Sequence, residues 1–430
     1  MSPFDVKFHL YTTSIIFLLF QLVLPSTAEA MPVFARKYNM SCVACHSAFP
    51  RLNQFGEHFR DNNMRLPNWR DDTVQTGDER LALPSTAPLA IRAQAYAQAR
   101  KGKSIDPVTG ETKQASSDFQ SPYLVKLLSS APLSEHITYY FYGIFAEKGN
   151  NGETAIEDAW FRHDDVLGSG VGMQLGQFQI SDLMFARETR MPFQDFMVYR
   201  MAGITYDRGL LFDRSLGNFD FGLGLVNGNG INENFNINSP GYRRPDKMFD
   251  NNSDKSIFGR IGTDIGPASL GLFGLSGEQA NATGPAGLNS GNRDTDKRIV
   301  GLDISGDVQG KTYWYAQLLW NSWDGFLDKN KDYNWWGGFL GADYIPNDLW
   351  AFSALYNYAD ADDLSNTDTI YEGIDINSLS LTASYYFMRN VKGIAEVNID
   401  FLGKDSQKGT YFTGHLTKEH YILFGFDAAF

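Results

Sequence analysis

Apolar and polar residues alternate with period two over most of this chain, and the connections between the alternating segments switch regularly between tight and long. Phe219, Phe221, Leu223 and Leu225 interleave with Asp220, Gly222 and Gly224, and Leu379, Leu381, Ala383, Tyr385 and Phe387 with Ser380, Thr382, Ser384 and Tyr386. Ile91, Ala93, Ala95, Ala97 and Ala99 do the same with Arg92, Gln94, Tyr96, Gln98 and Arg100, as do Val391, Ala395, Val397, Ile399 and Phe401 with Lys392, Glu396, Asn398 and Asp400. Such a pattern makes a strand with one apolar and one wet face. Sixteen strands are read this way, beginning at 89–101, with the sixth at 198–206 and the last at 419–430.

A soluble sandwich turns the apolar face inward and an outer-membrane barrel turns it to lipid, so periodicity alone does not separate them. Connection length does. Tight turns at 266–267, 307–310, 345–348 and 388–390 interleave with long polar loops at 227–256, 277–296, 322–334 and 359–375. That parity belongs to barrels with short periplasmic turns and long outer loops, and the even strand count returns both ends to the periplasmic side. Ile422, Phe424, Phe426, Ala428 and Phe430 alternate up to a terminal aromatic, as the last strand of such barrels does. The expected fold is therefore mainly β, a transmembrane barrel of about sixteen strands, preceded by a small α-helical segment. No apolar run approaches the 18 or so residues of a membrane helix. A net charge of −13 makes nucleic acid an unsuitable partner and leaves outer-membrane lipid as the expected surroundings.

The N-terminal thirty residues read as a secretory leader. Lys7 is followed by an apolar stretch at 14–24 and by Ala28-Glu29-Ala30, a small-x-small cleavage site. The expected organisation is a leader at 1–30, a compact segment at 31–70, a linker at 71–88 and the barrel at 89–430.

Both cysteines of the chain fall in Ser41-Cys42-Val43-Ala44-Cys45-His46. This spacing lets two thiols add to the two vinyl groups of one haem while the adjacent imidazole reaches the iron, so it marks c-type attachment. A redox CxxC pair would sit in a thioredoxin-like context, and a zinc site would need a second ligand pair; the sequence has neither. One covalent haem c is expected on Cys42 and Cys45, with His46 as axial ligand. Met64 and His58 are the nearby candidates for the sixth position, alongside a barrel residue or an open site. Leu52, Phe55 and Phe59, spaced by three and four, suggest one face of a short helix stopped by Asn62-Asn63 and Pro67, able to cover a porphyrin or to pack on protein. A unit of about forty residues barely builds a core alone, so haem or a host wall must complete it.

Arg36, Lys37, Arg51, Arg60, Arg65 and Arg70 stand against Glu57 and Asp61 in this segment, a net of +4 before a strongly negative remainder. Opposite signs favour insertion of the segment into the barrel as a plug, with a periplasmic head docked to soluble cytochromes as the alternative; Arg92 and Arg100, on the wet face of the first strand, would oppose insertion. Two further places carry open alternatives. The connection 180–195, with Met184, Arg187, Arg190 and Met191, is either an inward constriction or a surface loop. Asp360, Asp362, Asp363, Asp368, Glu372 and Asp375 form an acidic loop that either attracts divalent cations or is simply solvated.

Phe34-Ala35-Arg36, Met40-Ser41-Cys42-Val43-Ala44-Cys45-His46, Phe49-Pro50, Leu52-Asn53 and Phe55-Gly56 together resemble the fused cytochrome-porins of the bacterial outer membrane, best known from iron-oxidising bacteria. The resemblance is specific over residues 32–66 and covers the rest by architecture. It implies a monohaem segment before a sixteen-stranded barrel, and electron transfer between an extracellular donor or acceptor, iron(II) among them, and periplasmic c-type cytochromes. It also implies Cys42 and Cys45 as haem attachment points and His46 as iron ligand. Where relatives often read Asn-Gly-Tyr, this chain has Asn62-Asn63-Met64.

Overall fold

The computed structural model describes residues 33–40, 42–46, 51–66, 88–101, 117–147, 155–186, 191, 193–228, 254–280, 294–365, 367, 375–388, 390–402 and 420–430. The expected leader at 1–30 and linker residues 71–87 lie outside them. Strands run over β1 (Leu89–Lys101), β2 (Ser117–Pro132), β3 (Ile137–Glu147), β4 (Ala155–His163), β5 (Gly172–Gln179), β6 (Tyr206–Leu216), β7 (Phe219–Val226) and β8 (Ser256–Ile265). They continue through β9 (Ala268–Ala280), β10 (Asp294–Val308), β11 (Thr312–Asp324), β12 (Asp332–Asn347), β13 (Trp350–Asp360), β14 (Ile376–Met388), β15 (Val391–Asp400) and β16 (His420–Ala429).

Each strand pairs with its chain neighbour, and β1 closes antiparallel onto β16, Arg92 facing Ala429 and Lys101 facing His420. Closure excludes the sandwich, because no edge remains. The connections after even-numbered strands are short, down to 217–218, 266–267 and 348–349; those after odd-numbered strands include 180–205 and 227–255. Gly266, at φ 62, supplies the left-handed residue that the two-residue β8–β9 turn needs.

The apolar face points outward. Leu223, Leu340 and Phe424 are each more than half exposed, which in water would be untenable for a whole belt of side chains and in lipid is required. Trp320 and Trp336 lie opposite each other toward the long-loop end, and Tyr344 and Phe352 toward the short-turn end, all outward. The eight residue steps from Trp336 to Tyr344 span about 27 Å along the strand, or about 20 Å once tilted. Two aromatic girdles at that separation bracket a hydrocarbon layer.

The sixth strand departs from the sequence expectation. Residues 198–206 are not a strand: Met197–Met201 form a short helix, here α4, and β6 begins only at Tyr206. The apolar run there faces neither lipid nor water. It belongs to a connection, 180–205, that folds into the bore, and Phe196, Val198, Met201, Ala202 and Ile204 have no exposed surface. The constriction alternative is the one realised. The main hydrophobic cluster of the molecule lies inside the barrel, built from this connection, with Met184, Phe185 and Met191, against Tyr315, Leu319, Trp323, Trp335, Phe339 and Leu355 of the wall. Arg187 and Arg190 lie outside the described residues.

Polar anchors hold the connection to far walls. The Glu396 carboxylate on β15 accepts from the backbone amides of Phe193 at 3.2 Å and Gln194 at 2.9 Å, from Tyr421 Oη at 2.7 Å and from Thr382 Oγ1 at 3.1 Å. Asn357 Nδ2 on β13 donates to the Asp195 carbonyl at 3.1 Å, and Tyr199 Oη on α4 donates to Gln317 Oε1 on β11 at 3.0 Å. Burial, with Asp303 nearby, pushes the Tyr199 hydroxyl well above the ordinary phenol value and keeps it a donor.

Candidate functional site: the CxxCH segment in the barrel mouth

Among the described residues, three short helices precede the barrel: α1 (Val33–Tyr38), α2 (Cys42–Cys45) and α3 (Gln54–Asp61). The single turn of α2 puts Cys42 and Cys45 three residues apart, at positions that share a helix face. His46 follows at once, half-buried like Cys45, and bridges to Leu52. Asn53 ties this turn to α3. Its side chain caps α3 by accepting from Gly56 N at 2.9 Å and donates through Nδ2 to the Ala44 carbonyl at 3.0 Å, while its amide donates to the Cys45 carbonyl at 2.8 Å. Gly56 then lets α3 lie directly on α2. A Cβ at that position would meet the Cys45 carbonyl oxygen, with Cys45 C at 2.9 Å and Leu52 Cδ2 at 3.0 Å.

The expected apolar face of α3 divides in two. Phe59 is buried under the edges of Phe34 and Tyr38 of α1, with ring centroids 5.3 and 5.4 Å away, so it packs on protein. Phe55 stays exposed, an apolar side chain outside the segment's own packing. α3 stops at Asp61, as the Asn pair predicts, and Asn63 takes φ 57, the left-handed conformation in which Asn follows only Gly. Asn63 is therefore a residue suited to that turn.

The segment lies across the barrel mouth. On one side Asn63 Nδ2 donates to the His136 carbonyl at 3.0 Å, and Thr138 Oγ1 of β3 donates to the Asn63 carbonyl at 3.0 Å. On the other, Arg51 is ion-paired with Asp343 of β12, and its guanidinium lies 4.3 Å from the Tyr313 ring centroid and 4.5 Å from that of Tyr315, both on β11. Burial pulls the Arg51 pKa down, but Asp343 and the two phenols outweigh it and hold it above the ordinary value. In a ring of sixteen strands, β2–β3 and β11–β12 stand on opposite sides. The contacts all fall at the short-turn end.

The two candidate sixth ligands are placed differently. Met64 Sδ accepts from Ser130 Oγ of β2 at 3.3 Å, and its carbonyl accepts from Tyr38 Oη at 3.0 Å, so the thioether rests on the barrel wall. His58 is exposed two residues beyond Gly56, about 200° around α3 and so turned away from α2.

No family model and no curated protein matches this sequence. Solved structures do. OmpT of Vibrio cholerae is 12% identical over 80% of this chain and 97% of its own, with a TM-score of 0.50. Salmonella typhi OmpF, in complex with daunomycin, is 11% identical over 80% and 97%, at 0.53. An anion-selective porin from Comamonas acidovorans is 15% identical over 80% and 98%, at 0.50. At these identities the likeness speaks to fold, and it agrees with the closed ring and the lipid-facing belt. The chain folds as a porin-type barrel of the bacterial outer membrane.

Within this porin-type barrel the predicted opposition of Arg92 to a cationic plug does not arise. Arg92 Nη2 pairs with Asp427 on the neighbouring strand at 2.9 Å, with Lys392 Nζ 3.8 Å from the same carboxylate, so the charge is matched inside the wall. The Arg100 side chain lies outside the described residues. The acidic loop is used structurally where it is described: Asp363 accepts from Asn334 N at 2.9 Å and Asp375 from Ala361 N at 2.8 Å, while Asp368 and Glu372 are outside the described residues. Among the described residues no group of three His, Cys, Asp or Glu is placed to hold a metal ion.

The donor set on α2 and the exposed Phe55 fit a c-type haem: thiol positions one turn apart, an imidazole directly after them, and an apolar side chain left uncovered on the adjoining helix. The wall contacts of Arg51, Asn63, Ser130 and Asp343 carried no signal in the sequence, because they depend on which strands the closed ring brings to the plug. Gly56→Ala tests the close approach. It is expected to force α3 off the CxxC turn at a cost of about 1–3 kcal/mol, read as a lower midpoint in thermal unfolding of the plug.

Proposed function

We propose that this protein transfers electrons at the outer membrane, between an extracellular donor or acceptor and periplasmic c-type cytochromes, through one haem c held by Cys42 and Cys45 with His46 as axial ligand. The observation that carries the reading is the seat of the CxxCH segment inside the mouth of a membrane-spanning barrel, pinned to opposite walls through Asn63 and Arg51. A haem there supplies a one-electron iron couple that cycles without breaking bonds. The chain's own residues do the rest. Asn53 and Gly56 fix the attachment turn on α3, and Arg51 with Asp343 fixes the segment in the bore. Since the hydrocarbon layer is about 30 Å thick, a segment inside the mouth has less of it to bridge than a head hanging below. Iron(II) as donor follows from the family resemblance.

A second reading is a solute-selective porin whose haem segment serves as plug or redox sensor; the shared fold with an anion-selective porin favours it. Liposomes containing the matured protein, with oxidised cytochrome c inside and a membrane-impermeant reductant outside, separate the two. Reduction of the entrapped cytochrome that depends on the matured protein is the expected result. Haem-loaded vesicles that swell in small sugars yet leave the cytochrome oxidised would move the assignment to the porin.

A further inference from the structure

We infer that the inward connection, through its residues 180–186 and 193–205, is a partition that closes the bore to dissolved solutes, so that an external donor or acceptor exchanges electrons on its outer side and does not diffuse to the CxxCH segment. The closure stands on the packing alone; the consequence for the donor rests on the electron-transfer reading above.

A loop that merely narrows an aqueous channel keeps one face toward water. Here, from Phe193 to Ala202, every residue except Arg200 is buried. The segment reaches the wall around most of the ring. Phe193 packs on Tyr96 of β1 at 5.9 Å between ring centroids, on Tyr123 of β2 at 5.2 Å and on Tyr421 of β16 at 5.5 Å. Glu396 of β15 and Asn357 of β13 take its backbone. Phe196 stacks on Phe339 of β12 at 4.3 Å, and Phe185 meets Tyr315 of β11 at 5.6 Å. Lys297 Nζ of β10 donates to the Gly203 carbonyl at 3.1 Å, and Phe258 and Phe273 of β8 and β9 join the same apolar cluster. Water does not hold a continuous column through an apolar constriction of this kind. Tyr315 also carries the Arg51 guanidinium on its ring, so the partition and the CxxCH segment are adjoining layers.

The test is vesicle swelling in small sugars with the matured full-length protein, an open porin serving as control. Wild-type vesicles are expected to swell at the protein-free rate. A Phe193→Ala, Phe196→Ala, Glu396→Ala variant that keeps the heat-modifiable mobility of a folded barrel is expected to swell roughly tenfold faster. Swelling of the wild type at the porin rate would overturn the partition, and so would a folded variant that stays tight. Should the variant fail to fold, the wild-type rate decides alone. Tight vesicles that fail to reduce entrapped cytochrome would leave the partition standing and remove the electron-transfer reading; permeable vesicles that reduce it with a reductant too large for the pore would do the reverse.

Discussion

Replacing both Cys42 and Cys45 by Ala is expected to abolish haem-linked peroxidase staining of the denatured chain while leaving a folded, heat-modifiable barrel. Once the protein is denatured, axial ligands let go and only thioether bonds retain the porphyrin, so the effect is all-or-none for the double variant and a large decrease for either single one. The barrel is expected to survive because its closure runs through the β1–β16 ladder from Arg92 and Ala429 to Lys101 and His420, far from α2 in sequence. His46→Ala separates attachment from ligation. Staining should persist, since both thiols remain, while the low-spin spectrum is lost with the proximal imidazole. Staining of the double variant, or an unchanged spectrum after His46→Ala, would contradict the haem assignment directly.

The barrel was legible in the sequence because lipid imposes a rule that a local window can see. A strand with lipid on one side and a wide bore on the other must alternate, and the two ends of the barrel face different compartments with different loops. Phe219 to Val226 and Ile376 to Met388 show both signals without interference from tertiary contacts. Residues 197–204 defeated the same reasoning. Met197, Val198, Tyr199 and Met201 are buried on every side inside the bore, and a short segment apolar all round carries no period by which to tell a helix from a strand. The CxxCH motif is visible for another reason: its spacing from Cys42 to His46 is local to the chain and owes nothing to the barrel. The surroundings of that motif were not legible. Met64 rests on Ser130, and Asn63 spans to His136 and Thr138, contacts between residues 66 to 75 apart in sequence that exist only once the ring closes.

Arg51→Ala or Asp343→Ala is expected to loosen the plug by about 3–5 kcal/mol, because each leaves the opposite charge buried and unmatched. The pair lies at the short-turn mouth with both side chains almost fully buried, and the guanidinium lies against the rings of Tyr313 and Tyr315, so water cannot replace the lost partner without displacing the segment. A Val33→Cys reporter reads the effect, since Val33 is buried in α1 and a membrane-impermeant thiol reagent added from the periplasmic side reaches it only when the plug opens. If opening precedes labelling, that energy corresponds to labelling about two to four orders of magnitude faster. The double variant Arg51→Leu, Asp343→Leu removes both charges and should recover much of the protection, as apolar replacement of a buried pair commonly does. Recovery would identify the ion pair as a matter of charge balance within the bore. Fast labelling in Arg51→Ala and in the double variant, with Asp343→Ala still slow, would instead mean that the segment is held by the guanidinium's contact with the Tyr313 and Tyr315 rings. Slow labelling in both single variants would place the anchor at Asn63, where the backbone of β2–β3 grips the turn after α3.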